Sequence, residues 1–350
     1  MSRFYCGRSP RESRRLRRDI ITSLNALMTI DRMAATIEVR VSTKWREAID
    51  IDCLELVDDC GAPLPAFSAG SHIDVHLPGG LIRQYSLCNE STERHRYLIS
   101  VLRDPNSRGG SRAVHDRVSQ GDVLRISKPR NHFELSPARR YLLFAGGIGV
   151  TPILCMAERL SRIGADFSMH YCTRSPERMA FTNRIENSGY GSRVHKHFDD
   201  GSARQKLRPS EILNRSDNDT HIYVCGPNGF MNWIIENAKS SGWPDANIHY
   251  EYFAPKASSE AGSSFEVELA SDGRVLTVPQ DKSIVSILNE NGIGVPVSCE
   301  AGVCGTCLTR VLSGTPDHRD VFLTDQERAR NDQITPCCSR AISSRLVLDL

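Results

Sequence analysis

Four cysteines near the carboxyl terminus have a spacing that could bind iron. They follow the pattern C-x4-C-x2-C, with a fourth cysteine after 29 intervening residues: Cys299, Cys304, Cys307 and Cys337. Four thiolates hold a [2Fe–2S] cluster at this spacing, converging on two irons from one tight loop and one distant segment. Gly302, Gly305 and Thr306 supply small side chains, which let backbone amides of such a loop point at the sulfurs. The pattern therefore predicts an iron–sulfur site.

Other interpretations of these cysteines stay open on the residues alone. Zinc is one, although zinc sites favour paired C-x2-C knuckles and the sequence has a single C-x2-C. A chance cluster is another, and Cys338 competes with Cys337 for the fourth position. The other seven of the twelve cysteines are widely separated along the chain. With no secretory signal expected, a disulfide framework is disfavoured and a cytoplasmic protein is predicted.

A glycine-rich segment follows a short apolar run at 141–145. It reads Gly146-Gly147-Ile148-Gly149-Val150-Thr151-Pro152 and precedes a helical stretch. Glycines after a buried strand let the backbone approach a pyrophosphate, whose charge the helix N-terminus favours. Cys225-Gly226-Pro227 has the same form, a tight turn at the carboxyl end of a strand. An ordinary strand-to-helix turn is the alternative for both segments.

A third segment alternates an Arg, an aromatic ring and a hydroxyl. It is Arg83-Gln84-Tyr85-Ser86-Leu87, with Gly109-Gly110-Ser111 downstream. On a strand, these side chains could offer a phosphate clamp, a stacking ring and a hydrogen-bond donor. Gly110 and Ser111 could add donors to the same phosphate. An exposed barrel strand explains the pattern equally well.

Three kinds of element must position these residues. From 37 to 135, short alternating segments punctuated by Gly and Pro predict about six strands of a small antiparallel barrel: 37–41, 49–57, 72–77, 97–101 and 123–126 are examples. From 136 to 254, strands at 141–145, 167–172 and 221–225 alternate with helices at 153–163 and 229–240, which predicts an α/β domain.

The remaining chain predicts a linker and a third domain. Residues 255–264 are small and polar, which is typical of a linker. In 265–350, segments 265–269 and 275–278 predict a hairpin, and a helix is expected at 283–291 before the cysteines.

Composition excludes several classes of protein. The chain has 350 residues, 39% hydrophobic and 25% charged, with a net charge of +2. It is too apolar for intrinsic disorder, lacks an apolar run of membrane-spanning length and shows no basic excess typical of nucleic-acid binding. Residues 1–33 differ, with eight Arg against three acids. They predict an unstructured tail or a start codon placed too early, and an organellar transit peptide is the alternative.

Taken together, the three motifs resemble the ferredoxin–NADP reductase superfamily, specifically its three-domain phthalate dioxygenase reductase type. The resemblance covers about 35–350, and vanillate demethylase reductases are similar in motif detail, notably at 334–340. It implies a flavin-binding β-barrel, a Rossmann-like α/β domain for NAD and a β-grasp ferredoxin domain. Because the 29-residue gap matches plant-type ferredoxins, the resemblance favours Cys337 over Cys338.

The resemblance also implies roles for individual residues. Arg83 would bind the flavin phosphate, Tyr85 would stack on the isoalloxazine, Ser86 would lie near flavin N5 and Phe253 would cover the flavin face. Ser86, Cys225 and Phe253 are therefore the catalytic candidates. The full set of implied cofactor-binding residues is Arg83, Gln84, Tyr85, Ser86, Ser100, Val101, Leu102, Gly110, Ser111, Gly146, Gly147, Ile148, Thr151, Pro152, Thr173, Arg174, Cys225, Gly226, Pro227 and Phe253.

Cofactors and partners follow from the same resemblance. This domain order implies FMN, a [2Fe–2S] cluster and NADH. Thr173 and Arg174 stand where an adenosine ribose would sit, and Arg174 could accommodate the 2′-phosphate of NADPH. The expected function is electron transfer from NADH to a Rieske oxygenase by a monomer. Two alternatives remain: a reductase for a haem oxygenase or desaturase, and an iron–sulfur redox sensor.

Overall fold

The computed structural model describes residues 36–105, 107–214, 216, 218–253 and 263–350. The basic leader at 1–33 and most of the predicted linker at 255–264 lie outside this part of the chain. Three folded units are present within it, which confirms the multidomain fold class.

The first unit is an antiparallel barrel. Its strands are β1 (Ile37–Ala48), β2 (Ile51–Val57), β3 (Ser71–Leu77), β4 (Leu81–Ser86), β5 (Tyr97–Leu102), β6 (Val123–Ile126) and β7 (Arg130–Asn131). They run in the order β4-β3-β6-β1-β2-β5, with β7 paired to β3. A bridge between Leu87 and Ile99 joins the chain after β4 to β5, which brings the two edges of the sheet together. Exposed and buried positions alternate along β6, which is the pattern expected of a strand with one face on the core and one face in water.

Helix α1 (Gly110–Arg117) belongs to the barrel and was not predicted from the sequence. The segment Gly109-Gly110-Ser111 has the composition of a loop. Gly109 adopts a left-handed conformation with φ of 95°, which only glycine adopts at little cost, and the helix begins directly after it. Gly110 and Ser111 are therefore the first residues of a helix.

The second unit is a parallel α/β sheet. Its strands are β8 (Arg140–Gly146), β9 (Asp166–Thr173), β10 (Val194–Phe198), β11 (Thr220–Cys225) and β12 (Ile248–Glu251), in the order β10-β9-β8-β11-β12. The helices are α2 (Val150–Arg162), α3 (Thr182–Glu186), α4 (Pro209–Ile212) and α5 (Asn228–Ser240). All four neighbouring pairs are parallel, and the central strands are buried on both faces. The chain order reverses between β8 and β11, so a crevice opens at the carboxyl ends of these strands.

The third unit is a mixed sheet. Its strands are β13 (Phe265–Leu269), β14 (Val275–Val278), β15 (Thr309–Ser313), β16 (Pro316–Asp317), β17 (Gln333–Ile334), β18 (Arg340–Ala341) and β19 (Arg345–Leu348), with helices α6 (Ile284–Glu290) and α7 (Asp325–Arg330). The order is β14-β13-β19-β15-β17, and β16 pairs with β18. The Ser283 side chain caps the start of α6 by accepting a hydrogen bond from the Ser286 N–H, and serine is a preferred residue at this position of a helix.

The three units are joined in two different ways. One buried apolar cluster contains barrel residues such as Cys88 and Leu98 together with Leu154 and Met156 of α2. The third unit has its own clusters, which contain residues from 265 onward alone. The barrel and the α/β unit therefore share a core, whereas the third unit meets them across its surface. Among the described residues, no helix is long and apolar enough to cross a membrane.

Candidate functional site

The predicted iron ligands meet as two pairs of thiols. Cys299 hydrogen-bonds to Cys304, and Cys337 hydrogen-bonds to Cys307. Within the described part of the chain, no three His, Cys, Asp or Glu side chains are grouped to hold a single metal ion. Two pairs are the arrangement that a two-iron cluster requires, since each iron takes two protein ligands. The thiols thus fit a [2Fe–2S] cluster.

The backbone of the cysteine loop points amides at these sulfurs. Ala301 N–H lies 3.3 Å from Cys299 Sγ, and Thr306 N–H lies 3.4 Å from Cys304 Sγ. The loop can turn this tightly because Gly302 and Gly305 both have positive φ, of 68° and 67°. The hydrogen bond between Cys299 and Cys304 lowers the pKa of Cys304 and raises that of Cys299, so the pair without metal shares one proton.

Cys338 lies beside the site but has different neighbours. Its Sγ lies 3.4 Å from Thr335 Oγ1 and 3.8 Å from the Thr335 carbonyl oxygen. A side chain on Gly302 would collide with this sulfur. The Cys338 thiol also hydrogen-bonds to Cys337, whereas the Cys337 thiol reaches Cys307 of the cysteine loop.

The second candidate site lies at one edge of the barrel. Strand β4 carries the predicted segment 83–86. Because side chains alternate along a strand, Arg83 and Tyr85 lie on one face, and Gln84 and Ser86 lie on the other. A Cβ at Gly110 would come within 2.6 Å of Arg83 Cγ, so the Arg83 stem packs against the first turn of α1. An arginine beside a helix N-terminus is a site for a phosphate. Gln84 Nε2 is buried, and the described residues provide no hydrogen-bond partner for it. These features fit a bound flavin phosphate and ring.

The neighbouring strand β5 carries the other barrel residues of the predicted set. Ser100 and Val101 are buried and Leu102 is half-buried. Ser111 accepts a hydrogen bond from the Asp104 amide at 3.2 Å through its hydroxyl. The Ser111 hydroxyl is thus engaged within its own loop, whereas its backbone lies in the first turn of α1.

The third candidate site is the crevice of the parallel sheet. Gly146 ends β8, and the segment Gly147–Gly149 forms one 3-10 turn before α2. A Cβ at Gly149 would lie 2.5 Å from Gly226 N and would collide with the Cys225 carbonyl, so only glycine allows the two turns to meet. The two predicted nucleotide-binding turns are therefore adjacent.

Two residues of the predicted nucleotide-binding loop at 146–152 belong to a helix in the structure. Thr151 and Pro152 lie inside α2 and are buried, with Thr151 only 2% exposed. Thr151 Oγ1 donates to the Ile148 carbonyl at 3.1 Å. The hydroxyl proton is used within the first turn of the helix, and the hydroxyl oxygen can still accept a hydrogen bond. At the next strand, Thr173 is buried while Arg174 is exposed at the end of β9.

Glu251 joins the barrel to the crevice and was not selected as a site residue from the sequence. Its Oε2 lies 3.5 Å from Ser86 Oγ, and its Oε1 lies 3.9 Å from His72 Nδ1. Cys225 Sγ donates to the Glu251 carbonyl at 3.2 Å. Only its position in the segment Glu251-Tyr252-Phe253 could have drawn attention to it. Ser86 and His72 of the barrel thus lie at the Glu251 carboxyl group, and Cys225 contacts the backbone carbonyl of the same residue.

Burial controls the charge at this junction. It raises the pKa of Glu251 to about 8 and lowers the pKa of His72 to about 4. At neutral pH the pair is mainly a carboxylic acid beside a neutral imidazole. Burial also raises the pKa of Cys225 well above its ordinary value, so this residue is a thiol and not a thiolate. Phe253, two residues beyond Glu251, is 39% exposed.

Comparison with known proteins agrees with this geometry. The family model of the 2Fe-2S iron-sulfur cluster binding domain matches residues 267–341. Vanillate O-demethylase oxidoreductase of Pseudomonas sp. (strain HR199 / DSM 7063) is 53% identical over 317 residues, which cover 90% of this chain and 100% of the relative.

Two solved structures extend the comparison. Phthalate dioxygenase reductase, described as a modular structure for electron transfer from pyridine nucleotides to [2Fe-2S], matches with a TM-score of 0.73 and 39% identity, covering 90% of this chain and 98% of that one. An intact type IV self-sufficient cytochrome P450 monooxygenase matches with a TM-score of 0.76 and 37% identity, covering 90% of this chain and 41% of that one. The chain belongs to the family of oxygenase reductases that includes vanillate O-demethylase oxidoreductase and phthalate dioxygenase reductase.

Proposed function

We propose that this chain passes electrons from NADH through FMN and a [2Fe–2S] cluster to an oxygenase. One observation carries the proposal: paired thiols, a phosphate-binding barrel edge and a glycine-lined crevice converge on one region of one chain. The proposed ligands of the cluster are Cys299, Cys304, Cys307 and Cys337. A flavin accepts a hydride and releases electrons singly, whereas a [2Fe–2S] cluster takes one at a time, so the two cofactors together supply the redox chemistry.

The chain's own residues would bind the flavin and the nicotinamide nucleotide and orient them for hydride transfer. Arg83 and the first turn of α1 hold the flavin phosphate, and Tyr85 offers its ring to the isoalloxazine. Phe253 covers the opposite side of the site until the nicotinamide displaces it. The adjacent turns at Gly149 and Gly226 let the nucleotide backbone approach the sheet closely.

Glu251 is proposed to hold a proton beside the hydride-transfer site. With a pKa of about 8 it is largely protonated at neutral pH, and it lies within 3.5 Å of the Ser86 hydroxyl. A neutral acid places no negative charge near the position where a hydride must arrive. Ser86 and Glu251 therefore orient the reacting groups and keep the site uncharged.

NADH is the proposed nicotinamide donor. Arg174 is exposed at the end of β9, where an adenosine ribose would lie, and it is the residue that could bind a 2′-phosphate. The resemblance to reductases with this domain order implies NADH as the donor. Preference for NADPH would identify Arg174 as the specificity residue.

The proposed acceptor is a Rieske oxygenase, and the chain is proposed to act as a cytoplasmic monomer. The vanillate relative is named for O-demethylation and the phthalate relative for a dioxygenase. Residues 265–350 have eight basic and twelve acidic side chains, a net charge of −4, which suits docking on a basic surface. The match to a self-sufficient cytochrome P450 keeps a haem oxygenase as the second candidate acceptor.

Anaerobic reduction of the purified protein tests the proposed function. We expect the visible spectrum to show flavin bands on a broad iron–sulfur absorption, FMN in the extract, and bleaching of both features by NADH. A colourless protein that binds zinc would contradict it. Bleaching by NADPH and not by NADH would still support the electron path, and it would indicate that Arg174 determines a preference for NADPH.

Serine substitutions distinguish the two adjacent cysteines. C337S is expected to lose bound iron and sulfide because it removes the thiol that contacts Cys307. C338S is the matched control and is expected to retain both, since its sulfur contacts Cys337 and Thr335 rather than Cys307. Iron and acid-labile sulfide per chain are the measurement. A cluster that survives C337S and is lost in C338S would reverse the assignment.

The raised pKa of Glu251 predicts a pH dependence of stability. Its folded pKa of about 8 exceeds the ordinary value of 4.5, so the folded state binds the extra proton between these pH values and loses stability as pH rises through them. E251Q cannot lose a proton there, and between pH 5 and 8 it should gain roughly 3 to 4 kcal/mol in free energy of unfolding relative to wild type.

Thermal unfolding midpoints of both proteins at pH 5 and pH 8 measure this difference. E236Q, on the exposed face of α5, is the control and should follow wild type. Parallel pH profiles for E251Q and wild type would show that Glu251 is ionised in the folded protein at neutral pH.

A further inference from the structure

The cysteine loop is attached to the barrel by polar contacts on both sides of Cys299. Ser298 donates its hydroxyl to Asp74 Oδ1 at 2.8 Å. Arg108 donates from one guanidinium nitrogen to the Cys299 carbonyl at 2.8 Å and from another to the Glu300 carbonyl at 2.6 Å. These contacts join residues that are about two hundred positions apart in the sequence.

Arg108 belongs to the segment that leads into α1. It directly precedes Gly109, whose positive φ turns the chain into the helix. Its backbone carbonyl accepts a hydrogen bond from Arg83 at 3.3 Å, while its guanidinium extends away to the cysteine loop. One residue thus contacts the proposed phosphate arginine through its backbone and the proposed cluster loop through its side chain.

The second contact is built into the protein interior. Asp74 on β3 is 8% exposed, and Ser298 is 3% exposed. The other carboxylate oxygen of Asp74 accepts from Arg130. A buried carboxylate with both oxygens bonded has a fixed orientation, so it holds Ser298 in a defined place.

Additional support at this boundary comes from a ring contact. The rings of His132 and Phe322 meet edge to face with centroids 5.9 Å apart. The buried apolar clusters of the third unit contain no barrel residue. The polar contacts at Arg108 and Asp74, together with a longer ion pair of 4.0 Å between Arg83 and Glu300, therefore join the described barrel residues to the cysteine loop.

We propose that Arg108 is a positioning residue that fixes the cluster loop against the flavin site, with Asp74 and Ser298 as a second anchor. The inference rests on the proposed function. The forked guanidinium of Arg108 binds two consecutive carbonyls, which fixes both the distance and the orientation of the peptide next to Cys299. Removing it loosens the loop relative to the barrel without changing the crevice where NADH binds.

Rapid mixing of flavin- and cluster-loaded protein with NADH under anaerobic conditions tests this role. Flavin bleaching reports hydride transfer, and the later loss of iron–sulfur absorption reports transfer to the cluster. In R108A we expect the first phase to stay close to the wild-type rate. The second phase should slow by about tenfold or more, because small displacements of reacting groups have large effects on rate.

Three further variants test the geometric effect, its dependence on charge and the second anchor. R117A removes an exposed arginine from the other end of α1, with the same change in net charge, and should match wild type in both phases. R108K keeps the charge but has one ammonium group in place of the fork, and should give a second phase between those of R108A and wild type. S298A should slow the same phase by removing the second anchor.

Amide hydrogen exchange gives a readout independent of turnover. Residues 298–302 should exchange faster in R108A than in wild type or R117A, at equal flavin and iron content. A second phase in R108A and R108K that equals wild type overturns the positioning role, whatever the exchange shows. A wild-type protein whose cluster NADH never reduces refutes instead the proposed function itself.

Discussion

The shared core between the barrel and the α/β unit determines the geometry of the site. Cys88 and Leu98 from the barrel and Leu154 and Met156 from α2 are fully or almost fully buried in one cluster, and each such large apolar side chain contributes roughly 1.5–3 kcal/mol. Because two units share this core, β4 of the barrel lies in a fixed position against the carboxyl end of β12. Ser86 and Glu251 meet as a result, although 165 positions separate them in the chain. The end of β4 therefore lies against the carboxyl edge of the parallel sheet.

The third unit is held by a different kind of interaction. Its apolar clusters contain only its own residues, and its cysteine loop is attached to the barrel by hydrogen bonds that Arg108 donates and one that Asp74 accepts. The difference matches the two steps of the proposed reaction. Hydride transfer requires direct contact between rings and so a rigid crevice. Transfer of single electrons requires a short distance, which a few well-placed polar contacts can maintain.

The sequence was most informative where chemistry depends on local spacing. The cysteine pattern and the glycine segment after β8 are both readable within a few residues, because ligand spacing and turn geometry are local. Helix α1 was missed because Gly109-Gly110-Ser111 has the composition of a loop, and the backbone conformation of Gly109 is not visible in the sequence. The sequence places Thr151 before the predicted helix at 153–163, whereas the structure begins α2 at Val150 and so includes Thr151 in its first turn.

Long-range contacts were the other features that sequence reasoning could not supply. Glu251 acquires its raised pKa only when the barrel covers it, and Arg108 meets the Cys299 carbonyl from 191 positions away. Anaerobic titration with NADH tests most directly the claim that one chain couples both cofactors. Complete reduction should require about 1.5 NADH per chain, since the flavin takes two electrons and the cluster one. An end point at about one NADH, with the iron–sulfur absorption unchanged, would contradict the coupling.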